Sequence, residues 1–528
     1  MERVAADPGP PLRLHHADPP LGVAILGAGF AGIGMAIGLL GAGRRDFLVF
    51  EKHASIGGTW RDNTYPGCGC DVPSHLYSFS FAPHAGWSHT YAPQPEILAY
   101  LHRVADRPGV RERIRLDTPI VALDWDEGNR CWELTAADGS RYRARVVVSA
   151  VGGLHLPQLP DIAGLASFTG PAFHTARWRH DVPLTGRRVA VIGTGASGVQ
   201  VIPEIAARAG RLHVFQRTPS WILPRPGGGT TRPGRWLAAH TPGLAWLRRT
   251  AEFWRAETAA LGFAIKPKLV ERGQKRAIRF LERSIADREL VRRLWPNYAL
   301  GCKRVLLSND FYPALLRDTV ELVTEPIARF TPRSVVTQDG REREIDVAIL
   351  ATGFRPFDIT AGLRITGRGG RCLREDWRRG PEAFRGVAVT GFPNLFLLMG
   401  PNTALGHNSI VFMIETQVRY VLRCLSWLAR GEAEVLDVRD DVQEAFNRDL
   451  EARFARSVWQ STTWQSGKGW HYRPCGSWYR HASGRNHVLW PGSAAAYWIA
   501  MRRATLADYR TTAITAPAAG FSGRSRAA

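Results

Sequence analysis

The chain has 528 residues, enough for two to four domains at roughly 150 residues each. Its 45% apolar and 22% charged content suits a folded globular enzyme and excludes a disordered or collagen-like chain. The net charge of +22 comes mostly from Arg scattered along the chain, with no basic tract, so nucleic acid is not expected as a partner. Seven Cys are present without framework spacing; Cys68 and Cys70 form a C-x-C and not the C-x-x-C of a redox or zinc site. The reading is free, largely buried thiols in a reducing compartment, with no metal. The first twenty residues hold no apolar core of a signal peptide, and the expected location is cytoplasmic.

In chain order, residues 1–20 read as a flexible terminus. Residues 22–43 run for 22 residues without a charge, a membrane-span length. Eight of them are Gly, and their spacing divides the stretch into strand, tight turn and helix. Gly27, Gly29 and Gly32 form G-x-G-x-x-G after the apolar run 22–27, and the next apolar run ends at Glu51, nineteen residues after Gly32. That order is the βαβ fingerprint of a dinucleotide site, with the acid on a ribose hydroxyl. The pattern repeats after the apolar run 188–192 with Gly193, Thr194, Gly195, Ser197 and Gly198, followed by a helix containing Gln200. Here the second strand ends in Arg217 and Thr218 instead of an acid. An acid would repel a 2′-phosphate, whereas Arg accepts one. The first site therefore suits FAD and the second NADPH, and two such domains imply electron transfer between two cofactors.

The expected fold class is α/β, with two Rossmann-like dinucleotide-binding domains and a helical insertion. The FAD domain would occupy 21–152 and 353–507, and the NADP domain 153–234 and 301–352. The insertion would span 235–300, and 508–528 would be a flexible tail. Residues 241–300 carry thirteen Lys and Arg against six Asp and Glu, with several Trp and Phe. The favoured reading is an amphipathic cap over the active site; a membrane-surface or partner helix is the alternative.

Separated motifs then converge. Phe168, Gly170, His174 and Trp178 fall at the spacing F-x-G-x-x-x-H-x-x-x-W, and Gly57-Gly58-Thr59-Trp60 is followed by Tyr65-Pro66-Gly67 and Asp71. On these residues the chain resembles the type I Baeyer–Villiger monooxygenases along most of its length. Arg179 departs from the Pro or Asp that usually closes the first motif, which points toward hydroxyacetophenone-type or Baeyer–Villiger-like members. The resemblance implies that Arg304 is the active-site arginine, Asp71 its carboxylate partner, and Lys303 a helper of Arg217 at the 2′-phosphate. It also places Gly58, Thr59, Trp60, Tyr77 and Asn402 at the flavin. His174 would position domains rather than transfer protons, and Trp478 would lie on a mobile loop folding over NADP.

The implied reaction uses FAD, NADPH and O₂ to insert oxygen beside a ketone carbonyl through a C4a-peroxyflavin, giving an ester or lactone. A fixed guanidinium would stabilise the oxyanions. The alternative is a flavin N- or S-oxygenase acting on amines or sulfides. A flavin disulfide reductase lacks its paired cysteines here, and a basic binding protein without catalysis does not account for the two fingerprints together with Asp71 and Arg304. The partners are therefore a small-molecule substrate and O₂, with no integral membrane contact; substrate identity and oligomeric state are left open.

Overall fold

The computed structural model describes residues 19–241, 243–356, 358–459, 464–465 and 471–512. Two sheets organise them, one mixed and one wholly parallel. The first is an eight-stranded sheet. In it Leu21–Leu26 lies between Phe47–Phe50 and Arg141–Ser149, parallel to both, with Val23 opposite Phe47 on one side and Val146 on the other. Where these strands run side by side they are apolar, as in Val23–Leu26, Phe47–Phe50 and Val146–Val148, because both faces are covered there. The second sheet has five strands in the order Val320–Val323, Arg211–Phe215, Arg188–Ile192, Val347–Leu350, Ala172–His174, all parallel.

Each sheet carries the expected turn and helix. Phe30–Gly41 follows the first strand, and Ala196–Ala206 follows Arg188–Ile192. The apolar stretch 22–43 is thus a strand and a buried helix, and among the described residues no helix is long and apolar enough to cross a membrane. The last Gly of each fingerprint explains how tightly helix and strand meet. A Cβ on Gly32 would lie 1.8 Å from the Gly27 carbonyl oxygen, and one on Gly198 would lie 2.3 Å from that of Gly193. Only a residue without a side chain permits this approach.

The insertion is helical, with Arg232–His240, Leu244–Ala260, Val270–Ser284 and Arg288–Arg293. One face of Leu244–Ala260 packs on the helix Ile410–Ala429, with the Phe253 and Phe412 rings 4.8 Å apart. Glu257 is the polar centre of this contact. It accepts hydrogen bonds from His407 at 3.2 Å, Asn408 at 2.7 Å, and the backbone N–H groups of Ala494 and Ala495 at 3.1 Å each. Burial alone would raise the Glu257 carboxyl, but these donors outweigh it and bring it down to about 2.

Two expectations are corrected. Residues 508–512 are not a loose tail: Tyr509–Thr512 is a strand paired antiparallel with Val435–Val438. The expected flexible residues 1–18 and 513–528 lie outside the described residues. The thiols are not all free either, because Cys302 and Cys475 form a disulfide across a sequence separation of 173. Their spacing resembles no disulfide framework because the pair is brought together only by the docking of the C-terminal segment.

Candidate active site

The carboxyl ends of both sheets open into one cavity of about 1600 Å³, as parallel α/β sheets favour. Typical small-molecule pockets hold about 300–1,000 Å³, so this one has room for more than a single ligand of ordinary size. Both dinucleotide turns form its wall, through Gly27 and Gly29 on one side and Gly193, Thr194 and Gly195 on the other. The helices that start at these turns are capped at Gly29 and Gly195 with no side-chain hydrogen bond. Neither cap thus offers a side-chain acceptor to the first N–H groups, which is the state that suits a pyrophosphate. Glu51 is buried at the end of its strand and also lines the cavity. Its Oε2 accepts from the Ala28 N–H at 2.9 Å and its Oε1 from Arg61 at 3.1 Å. The carboxylate is thereby held fixed at the first turn.

The segment after Gly57 crosses the cavity wall with Gly58, Thr59, Trp60, Asp71 and Tyr77. Gly58 has φ +53°, and a Cβ there would lie 3.3 Å from Gly29 Cα, so these two turns meet backbone to backbone. Trp60 Nε1 donates to the Tyr77 hydroxyl at 3.2 Å, which locks both rings. Asp71 reaches the far side of the cavity. Arg304 donates from Nε to Asp71 Oδ2 and from Nη2 to Oδ1, each at 2.5 Å. This two-point geometry is available to Arg and not to Lys. Burial alone would raise the Asp71 carboxyl, but the Arg304 charge outweighs it and holds it below the usual carboxylate range. Asp71 in turn keeps Arg304 firmly protonated.

On the second-sheet side, Ser197, Gln200, Arg217, Thr218 and Lys303 line the same cavity. Burial and the neighbouring Arg217 charge both lower the Lys303 ammonium. Neither cation forms an ion pair with a described residue, which leaves a positive corner that fits an anion. Gln200 also fastens the two halves together, accepting from the Tyr65 hydroxyl at 2.8 Å and donating to the Gly69 carbonyl at 3.0 Å.

The remaining expected residues divide. Trp478 lines the cavity and is 46% exposed. Gly32 and Gly198 sit behind the wall, where they permit the close approach described above. Asn402 differs from its expected role at the flavin. It is buried outside the cavity lining, and its Nδ2 donates to the carbonyls of Asn486 at 2.8 Å and Leu489 at 3.1 Å. It latches the C-terminal segment instead. His174 is buried away from the cavity, with Nδ1 accepting from the Ala176 N–H at 3.1 Å. Trp178 packs edge-on against Phe173 at 5.2 Å, and exposed Arg179 pairs with Asp181.

The insertion does not cap this cavity. No described residue between 221 and 302 lines it, and the inner face of Leu244–Ala260 is taken up by the helix Ile410–Ala429. What closes the cavity near Arg304 is the segment 478–482. Tyr479, which sequence reasoning passed over beside the more conspicuous Trp478, is buried there; burial pushes its phenol up to about 12, against the pull of the Arg304 charge. The Cys302–Cys475 disulfide ties this segment to the residue two before Arg304. Neither sulfur lines the cavity, so the pair does not have the placement of a reductase dithiol.

Comparison with known proteins places this geometry. The family model described as "Pyridine nucleotide-disulphide oxidoreductase" matches residues 24–226. A Baeyer–Villiger monooxygenase of Pseudomonas aeruginosa is 44% identical over 505 residues, covering 96% of this chain and 93% of the relative. A Baeyer–Villiger monooxygenase of Streptomyces coelicolor is 42% identical, covering 92% of each chain. Among solved structures, cyclohexanone monooxygenase from Rhodococcus sp. Phi1 bound to NADP⁺ superposes with a TM-score of 0.79 at 28% identity, covering 94% of this chain and 100% of that one. The structure titled OTEMO complex with FAD and NADP gives 0.80 at 26% identity, covering 92% and 98%. Identity of this order along nearly the whole length, joined to two dinucleotide turns facing one cavity, means that the chain belongs to the Baeyer–Villiger monooxygenases.

Proposed function

We propose that the chain uses FAD, NADPH and O₂ to insert one oxygen atom beside the carbonyl of an organic ketone, giving an ester or lactone. The observation that carries the reading is the bidentate Asp71–Arg304 pair on the wall shared by both dinucleotide turns. Bound FAD supplies oxygen activation and NADPH supplies the hydride. Gly27, Gly29, Glu51, Gly58, Thr59, Trp60 and Tyr77 would hold the flavin. Gly193, Thr194, Gly195, Ser197 and Thr218 would hold the nicotinamide dinucleotide, with Arg217 and Lys303 on its 2′-phosphate. Arg304 is aimed by Asp71 and remains charged, so it can donate hydrogen bonds to an oxyanion on the reacting carbonyl without reorganising. Trp478 and Tyr479 would exclude water from that side.

The test is incubation of the purified holoenzyme with NADPH, ¹⁸O₂ and a panel of cyclic and open-chain ketones. An ester carrying one ¹⁸O, formed with one NADPH consumed per ester, supports the reading. Sulfoxides or N-oxides from added sulfides and amines, with no ester from any ketone, would replace it with heteroatom oxygenation. NADPH oxidation yielding only hydrogen peroxide would overturn both.

A further inference from the structure

The helical insertion leaves one face without a partner. Of the sixteen large apolar side chains that stand exposed among the described residues, eight lie between 236 and 269. Three are indoles: Trp236 and Trp246 are each 62% exposed and Trp254 is 59% exposed. Leu247, Trp254 and Leu261 recur every seven residues along Leu244–Ala260 and the turn Leu261–Ile265 that continues it, with exposed Ile265 one turn further. That spacing makes one stripe, about 27 Å long from Leu247 to Ile265 at a helical rise of about 1.5 Å per residue. The buried side of this helix, with Phe253, Glu257 and Ala260, is the one seated on Ile410–Ala429 and the turn before it. The stripe therefore cannot turn inward, and it takes no part in lining the cavity.

The charges around the stripe select its occupant. Arg248 follows Leu247, Arg255 follows Trp254, and exposed Lys266 and Lys268 lie between Ile265 and Leu269. Lys266 and Lys268 form no ion pair with a described residue, and residues 241–300 hold thirteen Lys and Arg against six Asp and Glu. A second copy of the chain would bring the same positive stripe to the contact and be repelled. Indoles and leucines edged by lysine and arginine are instead the chemistry of a helix lying in the headgroup region of an acidic bilayer. No described helix is able to span that bilayer, so the contact would be peripheral.

We propose that the outer face of the insertion binds anionic phospholipid surfaces. This goes beyond the catalytic reading and does not depend on it. The test is co-sedimentation of the holoprotein with vesicles of phosphatidylcholine alone and of equal parts phosphatidylcholine and phosphatidylglycerol. The expected result is partitioning onto the anionic vesicles at low salt, weaker by about tenfold on the zwitterionic ones and again at high salt. Leu247→Ala/Trp254→Ala and, separately, Lys266→Glu/Lys268→Glu should each weaken binding by about tenfold. Both variants should keep bound flavin and wild-type NADPH oxidation, which separates lost binding from lost folding. No partitioning onto either vesicle, equal partitioning onto both, or binding unaffected by the two double variants would overturn the proposal. Sedimentation velocity showing a dimer that Leu247→Ala/Trp254→Ala dissociates would overturn it in favour of self-association.

Discussion

At the scale of single residues, the site depends on two cations with different surroundings. Arg304 is paired, and Asp71 uses up its Nε–H and one Nη2–H. The rest of the guanidinium is left for a ligand, so losing it should affect chemistry more than binding. We expect Arg304→Ala to keep oxidising NADPH while ester formation falls by about 100–1,000-fold, the usual cost of removing an oxyanion donor. Ester yield within a few-fold of wild type would remove Arg304 from the reaction. The same substitution removes the main charge opposing burial of Asp71, so its carboxyl should titrate higher than in the parent protein. Arg217, by contrast, has no carboxylate partner among the described residues and shares its corner with Lys303. Arg217→Ala should raise KM for NADPH about 10–100-fold, the loss expected for one charge-assisted contact, and leave KM for NADH nearly unchanged. An equal rise for both coenzymes would show that Arg217 does not meet the 2′-phosphate.

At the scale of elements, the segment from Cys475 to Leu489 behaves as a strap fastened at both ends and tied down between them, where Ser483 Oγ donates to the Arg379 carbonyl at 2.8 Å and Arg485 pairs with Glu382. Asn402 holds it at Asn486 and Leu489, and the disulfide holds its start beside Arg304. Between them it carries Trp478 and Tyr479 over the cavity. A strap released at Cys475 should still fold against Asn402 but sit less firmly near Arg304. Cys475→Ser, or reduction of the wild-type protein with dithiothreitol, should therefore lower thermal stability and raise the peroxide released per NADPH by a few-fold, since water then reaches the site. In the chain-entropy picture a cross-link closing so long a loop is worth on the order of 2–5 kcal/mol. Cys372→Ser, at an unpaired cysteine that does not line the cavity, is the control and should change the peroxide yield little. If reduction leaves peroxide release unchanged, the strap does not depend on this bond.

At the scale of the whole molecule, what was legible in the sequence was local. Each glycine fingerprint carries its own reason, a backbone approach that a Cβ would block, so Gly32 and Gly198 could be placed without knowing what lay across the cavity. Partnerships between distant segments were legible only through family motifs, as for Asp71 and Arg304, or not at all. Cys302 and Cys475 lie 173 residues apart, and the destination of the insertion depends on which of its faces Glu257 anchors. Burial of histidines is another such collective property, and it has a measurable consequence. Burial lowers His75, His155 and His487 to about 4 in each case, whereas in an unfolded chain they titrate near 6.5. Between those values the unfolded chain binds more protons than the folded one, so folding stability falls with decreasing pH. It is fully present above about pH 6.5 and is lost progressively toward pH 4. The melting temperature of the holoenzyme should accordingly be flat from neutral pH down to about 6.5 and decline below it. His487 is the most buried of the three, and His487→Gln, which cannot take up the proton, should make that decline shallower. A decline that begins only below pH 4.5, with the same slope in His487→Gln, would assign it to the carboxylates instead.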